Sequence, residues 1–399
     1  MEIELTLQQT LIIALGILLL GYFLNSRVVF LKNNNIPEPV VGGLIFSLFS
    51  ALAYSNYNTT LNFDMTLKSP LMTLFFTTVG LGASFKLLKL GGPKVILFLA
   101  VATGYLFIQN IVGISIAHFA GIDYLYGLIG GSVTLSGGHG NAATYADLFI
   151  NHYDADSSIF ELAMAAATFG LILGGLIGGP VTKRLVIKHN LTPQNNNQDI
   201  NAAPHFNPTE KDIVTPKKMM ETLLVILICM LVGQQLHTML LHSGIILPAF
   251  LIPLLIGVAL TNASELHPKL KLSRTCIDLW GTMALSIFLA MALMSLRIWE
   301  LLNLAAPLII MILMQCVVLM LFTYFVTFKV MGNNYDSAIM AGGHCGFGLG
   351  ATPTAVANME ISVTKYGPSA QAFLTVPLVG AFFIDITNAL VIQLFLTFY

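Results

Sequence analysis

Ser136-Gly-Gly-His-Gly-Asn141 and Ala341-Gly-Gly-His-Cys-Gly346 are two glycine-rich breaks in a chain that is otherwise apolar for long stretches. The Gly-Gly-His triplet recurs 205 residues on, from Gly137 to Gly342. Each break is flanked by arms of only about ten to fourteen residues, and at ~1.5 Å per residue an arm covers roughly half of a ~30 Å hydrocarbon core. Two such arms meeting at a glycine turn read as a re-entrant hairpin. Non-helical backbone at membrane depth is tolerated only where protein buries it or where it lines a wet cavity. One hairpin in each half of the chain points to a secondary transporter.

The composition sets the same class. Of 399 residues, 56% are hydrophobic and 9% charged, and the mean hydropathy is +0.81. A soluble domain carries nearer a quarter charged residues, so the fold class is an all-α polytopic membrane protein. The net charge of −1 says nothing about nucleic acid, but no basic patch with interleaved aromatics occurs, so no nucleic-acid partner is expected; the lipid bilayer is the partner the composition demands. Cys229, Cys276, Cys316 and Cys345 lie in or beside apolar runs without metal-ligand spacing, so neither disulfides nor zinc are expected. Glu2 and Glu4 precede the first apolar run where a signal peptide would be basic, so that run is read as an uncleaved span.

Ten apolar runs are expected to span: Leu7–Phe23, Pro39–Tyr54, Pro70–Phe85, Val95–Phe119 and Ile159–Val181, then Met219–Leu241, Ile245–Leu260, Leu279–Leu296, Leu304–Phe328 and Phe373–Phe398. The hairpins fall at 124–150 and 336–359. The polar stretch 188–218, with Pro193-Gln-Asn-Asn-Asn-Gln198, is a linker between a first repeat (1–187) and a second (219–399). With the N-terminus outside, sixteen of the eighteen Lys and Arg fall in inward loops and only Lys68 and Arg297 outside. That bias places both termini outside and the linker in the cytoplasm. Five spans plus a hairpin per half is an odd number of crossings, so the second repeat is inverted. Leu87-Leu-Lys-Leu-Gly-Gly-Pro93 and Glu300-Leu-Leu-Asn-Leu-Ala-Ala-Pro307 correspond, as do Gln109 and Gln315.

The glycine turns dictate a chemistry. The outgoing half-helix of each hairpin, expected to start near Asn141 and Gly346, offers free N–H groups and a positive dipole end to a carboxylate. That makes Gly138, His139, Gly140 and Asn141, with Gly343, His344, Cys345 and Gly346, candidates for binding substrate. The incoming half-helices, expected to end near Ser136 and Ala341, offer carbonyls to Na⁺. Candidate Na⁺ ligands are Thr134, Ser136, Gly137, Ala341, Gly342, Thr352, Asn358, Asp385 and Asn388. Asp385 is the one acid well inside the last run; an ionisable residue there is functional by default, facing either Na⁺ or a substrate ammonium. The alternative reading of the glycine pairs is helix packing, expected for Gly170, Gly174, Gly175, Gly178 and Gly179. His139 and His344 are read as structural or site-lining, with proton relay as the alternative.

Gly343-His-Cys-Gly-Phe-Gly-Leu-Gly-Ala-Thr-Pro-Thr-Ala355 resembles the second hairpin of the bacterial sodium/glutamate symporters. Val379-Gly-Ala-Phe-Phe-Ile-Asp-Ile-Thr-Asn-Ala-Leu390, Thr134-Leu-Ser-Gly-Gly-His-Gly140 and Ala166-Thr-Phe-Gly-Leu-Ile-Leu-Gly-Gly-Leu-Ile-Gly-Gly-Pro180 resemble that family as well. The resemblance covers the chain outside the linker and departs at Asn141, where a small hydroxyl residue is expected. It implies Na⁺-coupled uptake of L-glutamate across the bacterial inner membrane by alternating access. It further implies a homodimer with a moving transport domain, Na⁺ as coupling ion and no organic cofactor. A carrier of another carboxylate such as citrate is the alternative on the same fold. An intramembrane hydrolase is the remote one: no Gly-x-Ser-x-Gly occurs, and the adjacent His344 and Cys345 point in different directions on a helix.

Overall fold

The computed structural model describes residues 2–28, 31, 37–57, 60–85, 92–193, 214–243, 247–264, 272–295 and 305–399. Residues 194–213 of the linker, and parts of the Leu87–Pro93 and Glu300–Pro307 correspondence, lie outside the described residues. Among the described residues, eight helices are long and apolar enough to cross a membrane. The chain packs into two compact units, each drawing on both sequence halves. That division follows contact, whereas the repeats expected at 1–187 and 219–399 follow symmetry.

The first unit holds α1 (Leu7–Arg27), α2 (Glu38–Tyr57), α3 (Lys68–Gly82), α8 (Pro216–His242), α9 (Leu251–Ser264) and α10 (Arg274–Met294). A reciprocal cap opens α1: Gln9 N–H donates to Thr6 Oγ1, and Thr6 N–H donates to Gln9 Oε1. Leu224, Leu227 and Leu231 stay exposed on α8, as lipid-facing side chains do.

Two details depart from the sequence reading. Glu2–Leu5 (β1) pairs in parallel with Thr60–Phe63 (β2), so the chain is not purely helical; both segments alternate polar and apolar residues, a period-2 pattern. The third and seventh runs also fold shorter than expected, as α3 with 15 residues and α9 with 14. Phe76 and Phe250 stack at 3.9 Å where the two meet. Beyond α3 the chain turns extended, and Asn262 of α9 answers it: its Nδ2 donates to Ala83 O (3.0 Å) and its Oδ1 accepts from Phe85 N–H (2.7 Å). Away from water such a backbone needs this partner.

The second unit holds α4 (Gly92–Ala120), α5 (Tyr124–Leu128), α6 (Gly138–His152), α7 (Ser158–Lys188), α11 (Ala305–Phe322), α12 (Phe328–Val330), α13 (Tyr335–Gly348), α14 (Thr352–Tyr366), α15 (Ala370–Leu378) and α16 (Ile384–Leu396). Wider π-type turns join α11 to α12 and α15 to α16. The core is built from α4, α7, α11 and the α13–α14 hairpin. Gly170, Gly174 and Gly178 form a ridge on α7 against which that hairpin lies with almost nothing between: a Cβ on Gly170 would sit 2.5 Å from Leu349 O, and one on Gly178 2.6 Å from Gly342 O. These three glycines are packing residues, as expected; Gly179 faces open space.

Candidate functional site

The first hairpin turns where the sequence reading places it. Asp123 caps α5 by accepting from Leu125 N–H (2.8 Å). A π-type turn follows at Ile129–Val133, and inside it Gly131 leaves helical geometry (φ −107°, ψ −138°). After the turn at Ser136 and Gly137, α6 starts on Gly138 with φ +66°, a left-handed conformation glycine adopts without strain.

The second hairpin turns later than expected. The helix α13 runs unbroken through Ala341–Gly346 to Gly348; the turn is at Leu349–Ala351 and α14 begins at Thr352. Ala341, Gly342, Gly343 and His344 are therefore interior helix residues, and Cys345 and Gly346 lie in the last turn, so the helix end falls several residues beyond Ala341. The glycines serve close packing: a Cβ on Gly342 would meet Thr182 Oγ1 at 2.1 Å, and one on Gly346 would meet Ala355 Cα at 2.4 Å. A Gly-Gly pair satisfies a turn and a tight crossing equally, so the triplet alone does not separate them.

The two tips meet inside the unit. Ser136 Oγ donates to Gln109 Oε1 (2.6 Å), with Gly348 O also in reach at 3.2 Å, and Gln109 Nε2 donates to Gly348 O (2.8 Å). A Cβ on Gly138 would lie 3.6 Å from Gly350 O. Asn141, in the first turn of α6, donates from Nδ2 to Asp385 Oδ1 (2.9 Å) and to Gly137 O (3.0 Å). The sequence candidates Asn141, Gly137 and Asp385 thus converge. Thr352 is near as well: its Oγ1 would be 2.8 Å from a Cβ on Gly380, in the turn leading to Asp385.

Other candidates are placed elsewhere. Asn358 Nδ2 donates to Gly174 O (2.9 Å) and Gly342 O (3.4 Å), tying α14 to α7 and α13. Thr134 Oγ1 donates back to Ile129 O (2.7 Å). Cys345 Sγ faces Thr323 Oγ1 at 3.2 Å. The histidines differ. His139 Nε2 lies 3.0 Å from Thr168 Oγ1; the threonine proton goes to Met164 O (2.8 Å), so the imidazole donates. His344 stacks on Phe347 with Phe98, Tyr105 and Phe322 edge-on around it, and its Nδ1 is 2.9 Å from Thr327 Oγ1. It is a hydrogen-bonded core histidine.

The profile of the sodium/glutamate symporter family matches residues 3–368. The sodium/glutamate symporter of Escherichia coli (strain K12) is 46% identical over 388 residues, covering 97% of this chain and 96% of that protein. This chain belongs to the sodium/glutamate symporter family. The symporter of Haemophilus influenzae is 43% identical over 387 residues, covering 96% of each chain. A solved sodium proton antiporter from Methanocaldococcus jannaschii covers 98% of each chain at 13% identity, with a TM-score of 0.42.

As a member of this symporter family, the chain is a transporter and not an enzyme, which removes the hydrolase alternative. Three polar residues that hold the hairpins were absent from the sequence candidates. Gln109 links the tips. Gln315 Nε2 donates to Gly130 O (3.0 Å) and Gln109 O (2.7 Å). Asn110 Oδ1 accepts from Ser132 N–H (2.8 Å), beside the break at Gly131. The signal was available: Gln109, Asn110 and Gln315 are amides in the middle of long apolar runs.

Proposed function

We propose that this chain carries L-glutamate into the cell together with Na⁺, across the bacterial inner membrane, by alternating access. The identity to named sodium/glutamate symporters over nearly the full chain carries the substrate and the ion. The geometry supplies a matching site. An amino acid presents a carboxylate and an ammonium; the first turn of α6 offers N–H groups at a positive dipole end, and Asp385 stands against that turn through Asn141. On this reading Gly138, His139, Gly140 and Asn141 take a carboxylate and Asp385 takes the ammonium or Na⁺. Na⁺ is the coupling ion and no organic cofactor takes part.

In this reading both helical hairpins are re-entrant, entering from opposite sides, and 219–399 repeats 1–187 in inverted topology. The exchange of glutamines supports it: Gln109 of the first half holds Gly348 of the second hairpin, while Gln315 of the second half holds Gly130 of the first. Both termini lie outside, and two copies pair as a homodimer in which the second unit moves. Single cysteines at Asn58 and in the Gly121–Asp123 loop are expected to react with an impermeant thiol reagent from outside, and one at Gln198 only from the cytoplasmic side. External reaction at Gln198 would overturn the inverted topology.

The decisive experiment is uptake into proteoliposomes of labelled glutamate, aspartate and citrate, with and without an inward Na⁺ gradient. Glutamate accumulation that needs the gradient, and that excess citrate does not compete away, is the expected result. Citrate accumulation in place of glutamate would move the chain to the other carboxylate reading.

A further inference from the structure

Gly131 breaks the incoming arm of the first hairpin, and three buried amides surround that break. Asn110, Gln315 and Asn388 are each at most 1% exposed. Each uses one end on the released backbone: Asn110 Oδ1 on Ser132 N–H, Gln315 Nε2 on Gly130 O, and Asn388 Nδ2 on Ser132 O (2.9 Å). Each leaves its other polar atom without a protein partner, and so does the hydroxyl of Ser132, which is fully buried. Buried polar atoms are nearly always paired, so a cluster of them around one broken turn calls for a ligand.

The kinds of atom left over say which. Asn388 Nδ2 is fixed toward Ser132 O, because the reverse orientation would set two oxygens face to face; its Oδ1 is therefore an open acceptor beside Ser132. Ser132 Oγ adds a second neutral oxygen. Gly131 O, which accepts from Thr134 N–H, keeps a second lone pair. Neutral oxygens without a carboxylate suit a hard monovalent cation better than Ca²⁺ or Mg²⁺, which draw on carboxylates or phosphates. Asp385 lies three residues before Asn388, on the same side of α16, and places a carboxylate nearby. Asn110 leaves a donor rather than an acceptor, so it acts as a positioning residue that pins Ser132.

We propose that the broken arm of the first hairpin is a Na⁺ site, with Ser132 Oγ and Asn388 Oδ1 as its side-chain ligands and backbone oxygen at Gly131 completing it. The proposal rests on the Na⁺-coupled reading above. It moves the ion site from the Gly-Gly-His turn to a break five residues earlier, and adds Ser132 and Gly131 to the candidates.

The test is the thermal unfolding midpoint of the purified protein, titrated with NaCl against KCl at constant ionic strength. The wild type is expected to be stabilised by Na⁺ selectively. Ser132→Ala and Asn388→Ala are expected to raise the half-saturating Na⁺ by about tenfold or more, the size of effect seen when a metal site loses part of its support. Ser132→Cys, which keeps the size but offers a soft sulfur, is expected to behave like alanine, while Asn388→Asp keeps an oxygen in place and keeps the Na⁺ response. A Na⁺ response in the wild type that Ser132→Ala and Asn388→Ala share within about threefold, or that Ser132→Cys restores, would overturn the site and leave Na⁺ coupling standing. A wild type that does not distinguish Na⁺ from K⁺ would remove both.

Discussion

Asp385→Asn is expected to reduce Na⁺-driven glutamate uptake by at least about thirtyfold, the loss of a charge-assisted contact of ~2 kcal/mol, while protein still inserts and is recovered folded. Asp385 occupies the first turn of α16, directly after the π-type turn Val379–Phe383, and accepts from Asn141 at 2.9 Å. The substitution keeps the shape and removes the charge from a poorly hydrated place, where electrostatic terms are large. Its two possible duties separate experimentally. Lost pairing with an ammonium weakens glutamate far more than glutarate, which has no amino group; a lost Na⁺ contact raises the Na⁺ requirement for every substrate alike. Unchanged uptake, in both Na⁺ dependence and glutamate affinity, would make Asp385 a helix-packing group.

Gly138→Val is expected to abolish transport, for a backbone reason. A Cβ at this position would meet only Gly350 O, at an ordinary 3.6 Å, so space is not the obstacle. The φ of +66° is, costing about 1–2 kcal/mol for any L side chain and more for a branched one. Gly138→Ala should therefore keep partial uptake. Gly343→Val should also abolish transport, but through packing. Its φ is not left-handed, and its Cβ would press on Met359 Sδ (2.9 Å) and Val376 Cγ1 (3.0 Å). Uptake and melting temperature for the three variants check this; near-normal uptake in Gly138→Val would return the turn to a packing role.

Much of this fold is legible because apolar runs and their breaks are written directly in composition. Eight of the ten expected runs became helices of membrane-crossing length, and the first turn fell on its glycines. What escaped has a common cause: it depends on contacts far apart in sequence. Whether Gly342–Gly343 bends the chain or lets Thr182 and Met359 approach is decided by α7 and α14, not by the triplet. The extended segment after α3 exists because Asn262, 179 residues later, answers Ala83 O. The break at Gly131 sits in Ile129-Gly-Gly-Ser-Val133, which reads as helix until Asn110 and Gln315 are seen to hold its backbone.

That dependence has a consequence for biogenesis. The amides that satisfy the broken arm are not all made with it: Gln315 leaves the ribosome 185 residues after Gly130, and Asn388 256 residues after Ser132. At roughly 5–20 residues per second, the arm waits on the order of tens of seconds for its last partner. Until then its released carbonyls must be met by water or by the insertion machinery, so the nascent first half is an unfinished guest of the translocon. Its maturation is set by the chain's final helix, and a ribosome stalled before Asn388 would leave the first hairpin without the amide that closes it.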